Sequence, residues 1–116
     1  MTARMSPMSR ALADKRCVPC EGGTPALTRG EIEPLAAQVE TWKVEDGKRL
    51  TKAFKFKNFL EAVAFVNIIT PVAEAEGHHP DLHVRWGAVS VMLWTHAAGG
   101  LTENDFILAA KIDQIT

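Results

Sequence analysis

The stretch from Asn58 to Gly77 constrains the fold of this chain more than any other. Asn58 is a favourable N-cap and Glu61 lies three residues on, a spacing that predicts a capping box and a helix start. The helix then carries Phe59, Leu60, Val63, Phe65, Val66, Ile68, Ile69 and Val72 around most of its circumference. A helix apolar on nearly every side must be covered on nearly every side. One small sheet cannot do this, so part of the helix, with Phe65 or Ile69 foremost, is expected to be buried against another subunit. Pro71 removes one internal hydrogen bond and is expected to kink or restart the helix.

The flanking segments supply the other layer. Thr28-Arg29-Gly30-Glu31 is a second capping box, opening a helix from about Arg29 to Val39 that buries Ile32, Leu35, Ala36 and Val39. Trp42 and Val44 read as a strand entering a hairpin at Asp46-Gly47. On the return, Leu50, Phe54 and Phe56 alternate with Thr51, Ala53, Lys55 and Lys57, the pattern of a sheet with one wet face. Later, Val89, Val91, Leu93 and Thr95 alternate with Ser90, Met92, Trp94 and His96. Gly99-Gly100 ends that run. Thr102-Glu103-Asn104-Asp105 opens a last helix that buries Phe106, Ile107, Ala110 and Ile112 or Ile115. The order α-β-β-α-β-β-α describes an α+β domain with helices packed on an antiparallel sheet.

Composition sets the outer bounds. A chain of 116 residues, 47% apolar and 23% charged, suits one soluble domain that buries roughly two-thirds of its unfolded surface. With 13 basic and 14 acidic residues it lacks the charge excess of an electrostatic nucleic-acid binder. No apolar run reaches the ~18 residues of a membrane span. Residues 1–26 read as a flexible arm ahead of a domain at 27–116: Arg4, Arg10, Lys15 and Arg16 face only Asp14, and Glu21-Gly22-Gly23-Thr24-Pro25 is turn chemistry. A basic transit peptide is the sharper reading of that arm. It is short and has no apolar core for secretion, so a bacterial cytoplasmic location is expected over a plastid one. Cys17-Val18-Pro19-Cys20 has no second ligand pair for a zinc ribbon and no strand-to-helix context for a thioredoxin-like site. It reads as a loop feature, a reversible disulfide or half of a site shared between subunits.

Chemistry concentrates in the last third. His78 and His79 precede Pro80, which holds His79 in extended geometry. Gly87-Ala88 suits a two-residue turn with Gly in the first central position. Trp86 then faces Val89 and, by continuation, His79 faces His96, so the hairpin predicts a histidine cluster. The short connection through Gly99 and Gly100, which permit close backbone approach to a ligand, brings Asp105 to the same end. Each residue also has a plain structural reading, Asp105 as the N3 acid of a capped helix above all. His83, at a strand start, reads as solvated. Adjacent His78 and His79 diverge too much to ligate one ion, so no metal is expected. A metal-free set of imidazoles suits proton transfer near neutrality, and elimination or addition of water is a natural reaction class.

These residues carry a family resemblance. Glu76-Gly77-His78-His79-Pro80-Asp81, Trp86, the run Val89 to His96, and Gly99-Gly100-Leu101-Thr102 with Asp105 resemble the pterin-4a-carbinolamine dehydratases. The likeness spans roughly Leu27 to Ile115. It implies a four-stranded antiparallel sheet with helices on one face, subunits that dimerise through their sheets, and tetramers formed through the long helix. It also implies a lyase that dehydrates 4a-hydroxytetrahydropterin, with the pterin as substrate and no bound cofactor. His78, His79, His96 and Asp105 would line the pterin pocket, with Pro80, Asp81, Trp86, Gly99 and Gly100 binding the substrate. Many dehydratases place an aromatic residue where Leu82 stands. Leu82-His83, the Cys-x-x-Cys arm and the wording of the last helix look most like the dehydratase-like Rubisco assembly factors of chloroplasts and alpha-carboxysomes. That branch implies the alternative of a chaperone for the Rubisco large subunit, with little or no dehydratase activity.

Overall fold

The computed structural model describes residues 11–19 and 24–116. Arg4, Arg10, Cys20 and the Glu21-Gly22-Gly23 turn lie outside the described residues. The elements are α1 (Arg29–Ala36), running on as a 3₁₀ turn over Ala37–Val39, then β1 (Lys43–Glu45), β2 (Arg49–Lys55), α2 (Phe59–Glu76), β3 (Asp81–Arg85) and β4 (Ala88–Leu93). A 3₁₀ turn (His96–Ala98) and α3 (Glu103–Gln114) complete the chain. The strands form one antiparallel sheet of four in the order β1-β2-β4-β3. The α+β class and the element order are those read from the sequence. No helix among the described residues is long and apolar enough to cross a membrane.

Local signals explain most boundaries. At α1, Thr28 and Glu31 cap each other: Thr28 N–H donates to Glu31 Oε1 at 2.8 Å and Glu31 N–H to Thr28 Oγ1 at 3.3 Å. At α2, Asn58 Oδ1 accepts from Glu61 N–H at 2.9 Å, but the Glu61 carboxylate takes the Lys57 N–H instead of closing the box on Asn58. Asp46 and Gly47 have φ of 53° and 66°, the left-handed pair that a tight hairpin turn requires. The helix α2 stays continuous through Pro71 instead of restarting there.

The core lies between the sheet and the helices. Val89, Val91 and Leu93 of β4 and Leu50 of β2 face inward, with Thr51, Ser90 and Met92 on the opposite face, as their alternation requires. The helix wrapped on almost every side is α3, not α2. Phe106, Ile107, Leu108, Ala109, Ala110 and Ile112 are all buried. Part of that cover comes from the N-terminal segment: Leu12 and Ala13 are buried in the same cluster, and Lys111 Nζ donates to the Ala13 carbonyl at 2.6 Å. Leu12 and Ala13, in the segment read from sequence as a flexible arm, therefore pack into the core of the domain, while most of residues 14–19 stays exposed. The segment's polar composition concealed these two inward-facing residues.

Two further expectations change. Phe65 and Ile69 are buried within the subunit itself, Phe65 against the rings of Phe54 and Phe56 at centroid distances of 4.6 and 5.1 Å. The open stripe of α2 is instead Leu60, 78% exposed, with Phe59 and Ile68. The second hairpin is also in a different register. Its pairs run from Arg85↔Ala88 to Asp81↔Met92, so the turn is Trp86-Gly87. Gly87 is not in a left-handed conformation. It serves close approach instead: its carbonyl accepts from Phe56 N–H at 2.8 Å, and a Cβ there would lie 3.2 Å from the Phe56 carbonyl oxygen. The slip of two residues preserves which face each side chain takes.

Candidate active site

Two chain reversals bring the histidines together. The helix α2 ends on Gly77, whose φ of 63° turns the backbone out of the helix and delivers His78, His79 and Pro80 to the head of β3. Beyond β4, Thr95 pairs with Gly100: Thr95 N–H donates to the Gly100 carbonyl at 2.8 Å. That closure throws His96 outward on its 3₁₀ turn, with Gly99 at φ 68° making the return. The result is a surface pocket of about 460 Å³. Its lining comes from three segments: residues 77–81 with His78 and His79, residues 94–97 with Trp94 and His96, and Val18 and Pro19 with Asn104 beside them. All three histidines singled out from sequence share this pocket, although the observed register, continued beyond its last pair Asp81↔Met92, sets His79 level with Trp94 and not with His96.

Asp105 stands behind the pocket. It is fully buried, and its carboxylate meets His78 Nε2 at 2.6 Å, Thr95 Oγ1 at 2.9 Å and Thr102 N–H at 2.9 Å. Thr95 and Thr102 also bond to each other through their hydroxyls at 2.8 Å. Asp105 is thus both the N3 acid of α3 and the group that orients His78. With Nε2–H given to the carboxylate, Nδ1 is the His78 nitrogen left to exchange a proton. The His78 side chain is 12% exposed, whereas that of His79 is 60% exposed and pairs with Glu74. His96 stacks on the Trp94 ring at 3.9 Å and 27°, and the Trp94 indole N–H donates to Asp81 Oδ2 at 3.2 Å. The pocket therefore offers one fixed imidazole, two accessible ones and a flat aromatic face.

Other sequence candidates fall elsewhere. Trp86 sits in the β3–β4 turn, 69% exposed, at the end of β3 away from the histidines. Five residues of strand put about 16 Å between it and the pocket. Gly99 and Gly100 do not line the pocket; they shape the loop, and a Cβ on Gly100 would meet the Ala26 side chain at 3.1 Å. His83 is exposed on the outer face of the sheet, as read. Leu82 faces the core, so its departure from an aromatic residue concerns packing and not the pocket. Sequence reasoning missed Trp94, Val18, Pro19 and Asn104. The correct hairpin register would have pointed to Trp94, while nothing local marks the other three.

A buried acid ties the N-terminal segment to this site. Glu76, in the last turn of α2, accepts from Cys17 N–H at 2.8 Å and pairs with Arg16 at 2.9 Å and Lys111 at 3.8 Å. Burial works against its ionisation, but the Cys17 amide and the two cations outweigh this and hold its carboxyl below the ordinary value of 4.5. A carboxyl held low in the fold contributes stability that is complete above its unfolded value and is lost as pH falls through the lowered one. Hydrogen-exchange protection of the Cys17 and Val18 amides, corrected for intrinsic rates, should hold down to about pH 4.5 and then decline. In Glu76→Gln that acid-linked decline should vanish. Equal acid sensitivity in both proteins would show that another group pins the segment.

Comparison with known proteins places these features in context. Residues 25–115 match the family described as Pterin 4 alpha carbinolamine dehydratase. A relative from Rickettsia canadensis (strain McKiel), named a candidate pterin-4-alpha-carbinolamine dehydratase, is 50% identical over 103 residues, covering 88% of this chain and 94% of its own. One from Alkaliphilus metalliredigens (strain QYMF), named likewise, is 49% identical and covers 89% and 94%. Among solved structures, a transcriptional coactivator/pterin dehydratase from Brucella melitensis aligns with a TM-score of 0.72 and 34% identity over 78% of this chain and 97% of its own. A pterin dehydratase-like Rubisco assembly factor of the alpha-carboxysome aligns at 0.55 with 22% identity, over 65% and 88% of the two chains. That last likeness is one of fold alone.

Proposed function

Since this chain belongs to the pterin-4a-carbinolamine dehydratase family, we propose that it removes water from 4a-hydroxytetrahydropterin by histidine acid–base catalysis. The observation that carries the reading is the single pocket shared by His78, His79 and His96, with Asp105 orienting the first of them. The reaction breaks the C4a–O bond, releases the hydroxyl as water and removes the N5 proton, giving the quinonoid dihydropterin. It therefore needs one group that donates a proton and one that accepts a proton. An imidazole can serve as either the proton donor or the proton acceptor. The stacked Trp94–His96 pair presents a flat face suited to a planar heterocycle. In this reading the protein uses no metal or bound cofactor, and it acts as a homodimer in the bacterial cytoplasm. The uncovered Phe59, Leu60 and Ile68 stripe and the outer sheet face are the surfaces open for self-association.

The assembly-factor alternative is not favoured. Its sequence support at Leu82 is a core-packing position, its structural neighbour shares the fold at low identity, and the acid–base set is intact. The test is direct: purified protein should accelerate dehydration of freshly generated 4a-hydroxytetrahydropterin, followed by absorbance in a stopped-flow instrument.

A further inference from the structure

We propose that Val18 and Pro19 form a working wall of the histidine pocket, and that Asn104 is the positioning residue that holds the wall in place. This rests on the dehydratase reading above and deepens it. Val18 and Pro19 line the same pocket as His78, His79 and His96 although they lie some sixty residues or more away in sequence. Asn104 is buried in the first turn of α3, directly before Asp105. Its Nδ2 donates to the Val18 carbonyl at 2.6 Å and its Oδ1 accepts from Val18 N–H at 3.0 Å. An amide that bonds both backbone groups of one residue imitates a rung of an antiparallel ladder, and fixes the segment's direction as well as its position. Cys17, next in line, is held through its N–H by Glu76, two residues before His78.

The wall is thus fastened to the two chain segments that deliver the pocket's own groups: the end of α2, which supplies His78, and the start of α3, which supplies Asp105. Its chemistry differs from the rest of the pocket. Val18 offers a branched apolar side chain that remains 65% exposed, and Pro19 fixes the backbone beside it. An exposed apolar edge on a pocket of imidazoles suits contact with the carbon skeleton of a bound heterocycle or its substituent. It would raise affinity without taking part in proton transfer.

The experiment titrates wild type, Asn104→Ala, Val18→Ser and Val18→Ile with 7,8-dihydrobiopterin, a stable dihydropterin, by fluorescence quenching. Dehydration kinetics and melting temperatures are measured alongside. Asn104→Ala and Val18→Ser should each weaken binding and raise KM by about tenfold with kcat little changed. Val18→Ile should restore wild-type affinity, and Val18→Ser should melt like wild type because the side chain is largely exposed. Should Asn104→Ala not fold, Val18→Ser decides alone. Wild-type binding together with an indifferent Val18→Ser overturns the wall and leaves the dehydratase reading standing. A wild type that binds no dihydropterin overturns both.

Discussion

His96→Ala and His79→Ala should each slow dehydration of 4a-hydroxytetrahydropterin by about 10²–10⁴-fold while leaving the melting temperature almost unchanged. Both rings are exposed side chains on the pocket rim, His96 stacked on Trp94 and His79 paired with Glu74. Removing them leaves no buried group without a partner, so any loss of rate belongs to the chemistry and not to the fold. The expected range is that of a positioned acid or base. His78 is a poorer test, because its removal would also strip Asp105 of a buried partner. Single-turnover rates in which both variants match wild type would take proton transfer away from these rings.

Asp105→Ala should cost about 3–5 kcal/mol of stability, the range seen when one partner of a buried charged network is deleted. For a domain of this size that corresponds to a fall in melting temperature on the order of 10–20 °C. As an N3 acid alone, Asp105 would contribute about 0.3–1 kcal/mol. The larger figure follows because its carboxylate is fully buried and satisfies His78, the Thr95 hydroxyl and the Thr102 amide together. Each of these would be left unpaired inside the protein, at roughly 1–3 kcal/mol apiece before relaxation. Asp105→Asn keeps an oxygen for the two threonines but presents an NH₂ to His78, which forces the ring to accept there. It should fold with a smaller loss and still lose rate. A denaturant-unfolding loss below about 1 kcal/mol for Asp105→Ala would return the residue to a helix cap.

The parts of this fold that were legible in sequence are those set by local rules. Alternation in Leu50–Phe56 and Val89–Thr95, the Thr28/Glu31 box and the Asp46-Gly47 turn depend on residues a few positions apart, and each is present. What was not legible depends on contacts between distant segments. Phe65 and Ile69 could not be told from Leu60 and Ile68, because an apolar side chain carries no mark of which surface will cover it. The N-terminal segment is polar overall, and its packing rests on Leu12, Ala13 and a clamp from Asn104 across the molecule. The hairpin register turned on a single glycine. Gly87 looked like the first residue of the turn; it is the second, and its close approach to Phe56 is what requires a glycine there. The histidine cluster survived that slip because Gly77 and Gly99 steer the two chain ends into one pocket whatever pairs beyond β3.

Whether the pocket dehydrates a pterin carbinolamine is decided by the rate of that step with the wild-type protein. Generated in situ and mixed rapidly with catalytic amounts of the protein, 4a-hydroxytetrahydropterin should lose water faster than in buffer alone. The acceleration should scale with protein concentration and fall away when His79 and His96 are both replaced by alanine. A wild-type rate equal to that of buffer, from protein with an intact melting transition, would mean that the pocket does not catalyse this dehydration.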